Sequence, residues 1–478
     1  MEKYMGNKSK FCSNIYKEIS RYIQIRGSTF FDPFTGTTNV SRYFKSKGAN
    51  IVCNDINDFS YVLGKAYIEN CSIPSFSDLY SKNQDFLRKL AIIEKKEDID
   101  NKVKKLIREN KNTSSLLFTE SKERTRYLEV LTYLTYYCDR DDYTGKTYNL
   151  FQDNYCENGK NSRYINLVYK KSLNNILEKH PNDEVGELIK SFFVYPFDER
   201  LIEKAELKAI AFGDTGTAEI IDKIIKKGNL VGERKFFSLA HAKRLDFILN
   251  TVCFWKKQEY ISNNEYYILL ASIIETVTIF SNTSATYQAF YKDYRANTLQ
   301  DFRLIIPELD TTAIDSLVLQ EDAYSIIPEV EADIIYLDPP YNWRQYDSNY
   351  HLLNTIARYN DIKNKPLFFR QIVGASGENR IQKLEYTNFN KSSTFEKLLL
   401  SRLAKCKCKV VALSYSDSSS NHKKGQINQT LDSITAFFAD KEIFGSYNIL
   451  SVDSIKFESR RGNKKELIHE LLFIGLRK

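Results

Sequence analysis

The sequence predicts an α/β fold whose single sheet is assembled from two separated parts of the chain. Three observations carry that expectation. Residues 28–55 read as a strand, a turn, a helix and a second strand; short apolar runs of strand type recur far downstream; and from about 73 to 300 the strand signals fade into long polar helical stretches. Residues 1–72 and 301–478 are therefore expected to form the sheet, with 73–300 inserted as a mainly helical region.

Residues 28–32 (STFFD) are strand-like, 33–38 form a turn, and 39–47 are helical with Val40, Tyr43 and Phe44 on one side. The run 51–55 (IVCND) is the second strand. Within the insertion, 85–110 is a polar helical stretch and 133–155 is rich in tyrosine. Residues 82–126 carry 13 Lys or Arg against 8 Asp or Glu, which suits either a surface facing a phosphate backbone or a solvated helix face. Residues 266–280 are apolar at helical spacing and predict a buried helix, stopped by the polar run 281–284. Farther on, 332–337 and 409–414 are short buried strands that end in polar residues, and 470–476 is a last strand. The acid-poor stretch 402–428 reads as a strand followed by a loop, one that either closes over a ligand or is disordered.

Composition bounds the class. A chain of 478 residues is long enough for about two to four domains. No apolar run approaches the roughly 20 residues of a membrane span, and MEKYMGNKSKF shows no secretory pattern, so no membrane partner and a cytoplasmic, nucleoid-associated location are expected. The net charge of +8 permits a polyanionic partner without requiring one. The eight cysteines are scattered, and the one close pair, Cys406 and Cys408, has neither a second pair nor a histidine cluster beside it. No metal site and no disulfide framework are expected, only thiols, with the close pair in a strand-like run that points both sulfurs to one face.

The most informative motif is Asp338-Pro339-Pro340-Tyr341, directly after the apolar run 334–337. In an open α/β sheet, ligands sit beyond the carboxyl ends of the strands, and here that edge receives a carboxylate, a rigid double proline and an aromatic ring. The prolines hold extended backbone, so a carbonyl is free to point into a pocket. A substrate amino group would find two acceptors there, with Tyr341 available to stack on a flat ring. A second signal is Phe31-Asp32-Pro33-Phe34-Thr35-Gly36-Thr37-Thr38, again strand into turn into helix. It is not GxGxxG and lacks a phosphate-loop lysine, which leaves a small nucleoside-like cofactor. Asp55 ends the next strand, where a carboxylate suits ribose hydroxyls, and Asp322 offers a further acceptor for an adenine amino group.

In order along the chain, Tyr4-Met5-Gly6-Asn7-Lys8, the 31–37 turn, Asp55 and Asp338-Pro339-Pro340-Tyr341 resemble the Dam-like, alpha-group adenine-specific DNA methyltransferases. Segments 236–246, 269–292 and 341–351 are similar to a restriction–modification subgroup of them. The resemblance covers roughly half the chain and implies a Rossmann-like S-adenosylmethionine-dependent methyltransferase sheet, with 73–300 holding a target-recognition domain. It implies that Tyr4, Gly6 and Lys8 meet the methionine part of S-adenosylmethionine, that Asp32, Phe34, Gly36 and Thr37 wrap it, that Asp55 holds its ribose and Asp322 its adenine. Asp338, Pro339, Pro340 and Tyr341 would act on the N6 amino group of an adenine flipped out of double-stranded DNA. Trp343, Arg344 and Tyr346 would contact nucleic acid, Arg344 through either phosphate or a guanine edge, with phosphate favoured.

The activity so implied is that of a modification enzyme in a restriction–modification or phage-defence system. A cognate endonuclease would be its functional partner, and the enzyme would be a monomer or a dimer with one site per chain. An RNA adenine N6-methyltransferase and a catalytically silent DNA-binding subunit are the alternatives.

Overall fold

The computed structural model describes residues 8–94, 99–110, 120–145, 147–165, 167–191, 231–284, 286–340, 346–379, 399–416, 426–455 and 467–478. Its centre is a seven-stranded sheet. In chain order the strands are β1 (Thr29–Asp32), β2 (Asn50–Asn54), β3 (Ser316–Leu319), β4 (Ile334–Leu337), β5 (Val410–Ser416), β6 (Phe444–Ile455) and β7 (Leu467–Arg477). Across the sheet they run β6-β7-β5-β4-β1-β2-β3. The pairs β1–β2, β1–β4, β2–β3 and β4–β5 are parallel, while β7 is antiparallel to both β5 and β6.

Burial on both faces explains why the parallel strands are apolar throughout. Side chains alternate strictly: Phe30, Ile334, Tyr336, Val410 and Ala412 enter one core, and Phe31, Ile335, Leu337, Val411 and Leu413 the other. On the first face lie helices α1 (Cys12–Ile19) and α2 (Asn39–Ser46), with Ile15, Ile19, Val40 and Phe44 buried against the strands. A helix between two parallel strands is the crossover that such pairing demands. Phe30 stacks on Phe44 at a ring separation of 4.0 Å, which fixes α2 over β1.

Helix α3 (Asp58–Gly64) runs on through a π-turn at Lys65–Glu69 and leads into the long stretch of chain between β2 and β3. There the expected helical stretch 85–110 is two helices, α4 (Gln84–Glu94) and α5 (Ile99–Asn110). They pack with α6 (Lys122–Tyr136), α7 (Leu239–Lys257) and α8 (Asn263–Phe280) around a large core containing Phe86, Tyr133 and Trp255. The predicted buried helix is α8. It starts in a capping box, Ser262 accepting from the Glu265 N–H while Glu265 accepts from the Ser262 N–H, and ends at Ser281. A short strand pair, Arg163–Ile165 with Val231–Glu233, lies in the same region, where the sequence shows no strand signal. The same core takes in Phe59, Val62 and Leu63 from α3 and Leu352, Leu353 and Ile356 from α9 (Tyr346–Ala357), so packing is continuous between the helices and the sheet elements. Helix α10 (Gln426–Phe438) covers the second sheet face through Ile434 and Phe438.

Two strands carry too little signal to be read. Both are edge strands: β3 is half-exposed, with Leu317 in solvent, and β6 mixes polar residues with the exposed Tyr447 and Ile449. One expectation is corrected in detail: Cys406 and Cys408 flank the isolated bridge residue Lys407 just ahead of β5 rather than lying in a strand, yet their sulfurs do share a side, 3.2 Å apart. Among the described residues no helix is long and apolar enough to cross a membrane.

Candidate active site

The strand order reverses between β1 and β4. Such a switch point leaves a crevice at the carboxyl ends of the two strands, because the connections leave in opposite directions. Asp32 is the last residue of β1 and Asp338 follows the last residue of β4, with Phe31 level with Ile335 in the register. The topology therefore sets two motifs that are far apart in sequence beside one crevice.

After β1 the chain makes a tight turn into α2. Gly36 and Thr38 both sit in the left-handed region, at φ 51° and 64°. For threonine that conformation costs of order 1 kcal/mol and persists only when the surroundings fix it. Here they do. The Thr38 N–H donates to the Thr35 carbonyl at 2.8 Å, the Thr35 N–H donates to the Asn54 carbonyl at 3.0 Å, and the Asn54 amide donates to the Pro33 carbonyl at 3.1 Å. Asp32 accepts from the Ser41 hydroxyl at 2.7 Å and from the Phe34 N–H at 3.3 Å. Its buried carboxyl is pushed up to about 7, first by desolvation and further by Asp338, against the Ser41 hydrogen bond.

Asp55 stands just past β2. It accepts from the Gly36 N–H at 2.8 Å and from the Asn57 backbone and side-chain amides, each at 2.9 Å. Burial raises its pKa despite those hydrogen bonds, and its side chain remains half-exposed on the crevice side. Thr37 is buried and accepts from the Asn39 amide at 2.9 Å. Phe34 is half-buried with its ring edge-on to Tyr324 at 6.4 Å. Asp322 follows β3 and is exposed; it caps the one-turn helix Ala323–Ile326, accepting from the Tyr324 N–H at 3.1 Å.

On the other side of the crevice, the Lys8 ammonium reaches Glu470 Oε2 at 2.8 Å and Asp338 Oδ1 at 3.5 Å, and all three side chains are largely buried. Asp338 Oδ1 accepts no hydrogen bond from any described residue, although it is shielded from solvent. Burial lifts the Asp338 carboxyl to about 6; Lys8 pulls it down and Glu470 pushes it up. Pro339 is buried and Pro340 half-buried.

The structure thus brings together Lys8, Asp32, Phe34, Gly36, Thr37, Asp55 and Asp338, with Asp322 at the neighbouring strand end. Tyr4, Gly6, Tyr341, Trp343 and Arg344 lie outside the described residues, and Tyr346 opens α9 without a described side chain. Three contributors carry no local signal in the sequence: Ser41, Asn54 and Glu470. Asn54 donates to the Glu321 carbonyl at 3.1 Å while accepting from the Glu321 N–H at 2.8 Å, and so ties the Pro33 turn to the segment after β3.

Among the described residues Asp32, Asp55, Asp338 and Glu470 outnumber the ammonium of Lys8, which makes the crevice receptive to a cation, and Asp338 Oδ1, short of a close hydrogen-bond donor, suits an amino group. The buried Thr38 hydroxyl is likewise without a partner among the described residues. An open, mainly parallel α/β sheet with carboxylates at its switch point is consistent with a methyltransferase fold. The chain belongs to the D12 class N6 adenine-specific DNA methyltransferases, whose sequence model matches residues 4–215 and 215–412. It is 31% identical over 247 residues to the modification methylase StsI of Streptococcus sanguinis, covering 52% of this chain and 35% of that protein. It is 27% identical over 357 residues to the type II methyltransferase M.FokI of Planomicrobium okeanokoites, 75% of this chain and 37% of that one. With the type II methyltransferase M.NlaIII of Neisseria lactamica it shares 39% identity over 133 residues, 28% of this chain and 40% of the relative. The chain therefore spans little more than a third of the length of the first two relatives.

Proposed function

We propose that this protein transfers a methyl group from S-adenosylmethionine to the exocyclic N6 of an adenine flipped out of duplex DNA, as the modification enzyme of a restriction–modification or phage-defence system. The observation that carries the reading is Asp338, a largely buried carboxylate at the switch point of a chain in the D12 class, whose Oδ1 has, among the described residues, no partner closer than the Lys8 ammonium at 3.5 Å.

S-adenosylmethionine supplies, when bound, a methyl group already activated for attack by the positive charge on its sulfur. The chain's residues then have to orient an amine rather than activate a nucleophile. Asp338 Oδ1 and the Pro339 carbonyl accept the two amino hydrogens, which draws the nitrogen lone pair out of conjugation and toward the methyl carbon. The Asp338 carboxylate would stabilise the positive charge that grows on that nitrogen during transfer. One amino proton then leaves through that carboxylate to solvent, a step suited to a group near pH 6.

Asp55 would hold the ribose hydroxyls, and Phe34, in edge-on contact with Tyr324, would line the nucleoside side. Asp322 accepts from the cofactor adenine, and Lys8, with Tyr4 and Gly6, meets the methionine end. Tyr341 stacks on the flipped base, while Trp343, Arg344 and Tyr346 hold the strand around it. Residues 73–300 supply target recognition.

The test is incubation with tritiated S-adenosylmethionine and, separately, unmethylated duplex DNA and RNA, followed by nucleoside analysis. Labelled N6-methyldeoxyadenosine from DNA is the expected product. Label confined to RNA, or cofactor binding without any transfer across diverse DNA, overturns the reading.

A further inference from the structure

We propose that Cys406 and Cys408 form a dithiol site that reacts with small hydroperoxides and closes reversibly into an intrachain disulfide. The pair lies at the amino end of β5, whereas the crevice lies at the carboxyl ends of β1 and β4, and the inference does not rest on the methyl-transfer reading.

The backbone sets the pair. The Ala332 N–H donates to the Lys407 carbonyl at 3.0 Å and the Lys409 N–H to the Asp333 carbonyl at 3.0 Å, so residues 407 and 409 are both tied to the segment entering β4. Extended chain held in this way turns alternate side chains to one side, and the two sulfurs meet at 3.2 Å. The alternating neighbours Lys405, Lys407 and Lys409 are exposed.

A fixed cation stands beside the pair. Arg477, the last residue of β7, donates its N–H to the Lys409 carbonyl at 2.8 Å and its guanidinium to the carbonyls of Leu403 at 2.9 Å and Ala404 at 3.1 Å. The guanidinium nitrogen that meets Leu403 also lies 3.5 Å from Cys406 Sγ. The Cys408 thiol and this guanidinium together hold the Cys406 thiol below the ordinary range, against the effect of burial, while Cys408 as the donor is held above it. A nucleophilic thiolate thus sits against a thiol able to resolve it. Cys406 is buried and Cys408 half-buried, which favours closure within the chain over a disulfide between chains.

The chemistry balances with a hydroperoxide as the one oxidant. The Cys406 thiolate attacks the terminal peroxide oxygen; a sulfur–oxygen bond forms, the oxygen–oxygen bond breaks, and the departing alkoxide or hydroxide takes up a proton. Cys408 Sγ then attacks the sulfenic sulfur, the sulfur–sulfur bond forms, and the sulfenic oxygen leaves as water with the Cys408 proton. The two sulfurs lose two electrons between them and the peroxide gains both.

The test exposes the reduced full chain to hydrogen peroxide, alkylates the remaining thiols at intervals and weighs the peptides. The expected result is a peptide spanning Cys406 and Cys408 that is lighter by two hydrogens, resists alkylation and recovers both thiols with dithiothreitol. It should form about tenfold faster than the exposed Cys71 is oxidised, because the thiolate and not the thiol is the nucleophile. Cys408→Ser should leave Cys406 as a sulfenic acid that dimedone traps; if that variant does not fold, the wild-type reaction decides alone. Oxidation of Cys71 as fast as the pair, passage of Cys406 to a sulfinic acid without a disulfide, or disulfides between chains in the wild type each overturn the proposal.

Discussion

Gly36 and Asp55, 19 residues apart, are joined by a hydrogen bond of 2.8 Å from the glycine N–H to the aspartate Oδ2. The bond spans α2 and β2 and makes the turn and the proposed ribose acceptor one unit. Asp55→Ala should therefore weaken S-adenosylmethionine binding twice over, through lost ribose contacts and a loosened turn. A charged hydrogen bond is worth about 1.5–3 kcal/mol, so the dissociation constant should rise at least tenfold in calorimetric titration.

Asp338→Asn should leave the fold intact, since the residue lies beyond the end of β4, and should cut transfer by about 100-fold or more, as removal of a preorganised electrostatic partner does. In the wild type the carboxylate form is the competent one. With its pKa raised to about 6, single-turnover rates should be flat above that value and fall as pH drops through it. A rate that stays constant down to pH 4.5 would remove Asp338 from the step.

Asp246 gives a stability test away from the site. It accepts from the Phe151 and Gln152 N–H groups, both at 2.9 Å, and burial pushes its carboxyl up to about 7. A raised acid binds its proton more tightly in the folded state than in the unfolded one. Its contribution is therefore fully present below the unfolded pKa of roughly 4 and is lost as pH rises toward 7, by at most a few kcal/mol. Asp246→Asn should lower stability overall, because two acceptor oxygens become one, yet flatten its pH dependence between 4 and 7 in urea titrations.

Gly64 tests the seam between α3 and the sheet. A Cβ there would lie 2.6 Å from Val318 Cγ1 on β3. Gly64→Ala should destabilise the protein by about 1–3 kcal/mol of overpacking, outweighing the gain in helix propensity. Adding Val318→Ala should restore part of it; simple additivity of the two losses in denaturant melts would contradict the contact.

How much was legible depended on whether the physics was local. β1, β2 and β4 could be read because strands buried on both faces leave continuous apolar runs, and Asp32, Asp55 and Asp338 could be read because they follow those runs. Ser41 could not, because a serine in the first turn of a helix resembles any polar helix start. Arg234 is fully buried and donates to the carbonyls of Asn154, Asn161 and Gly374, a role set by two segments, 154–161 and the turn at 374, that are distant from it in sequence. Glu470 opened a recognisable strand, yet nothing near it signals a lysine 462 positions away.

The interior place of β7 also sets a timetable. A chain emerging from the ribosome has Lys8, the Gly36 turn and Asp338 in hand long before residue 467, and β5 and β6 must leave a gap that the later strand fills between them. The crevice is therefore complete only when that strand is in place and has brought Glu470 to the Lys8 ammonium.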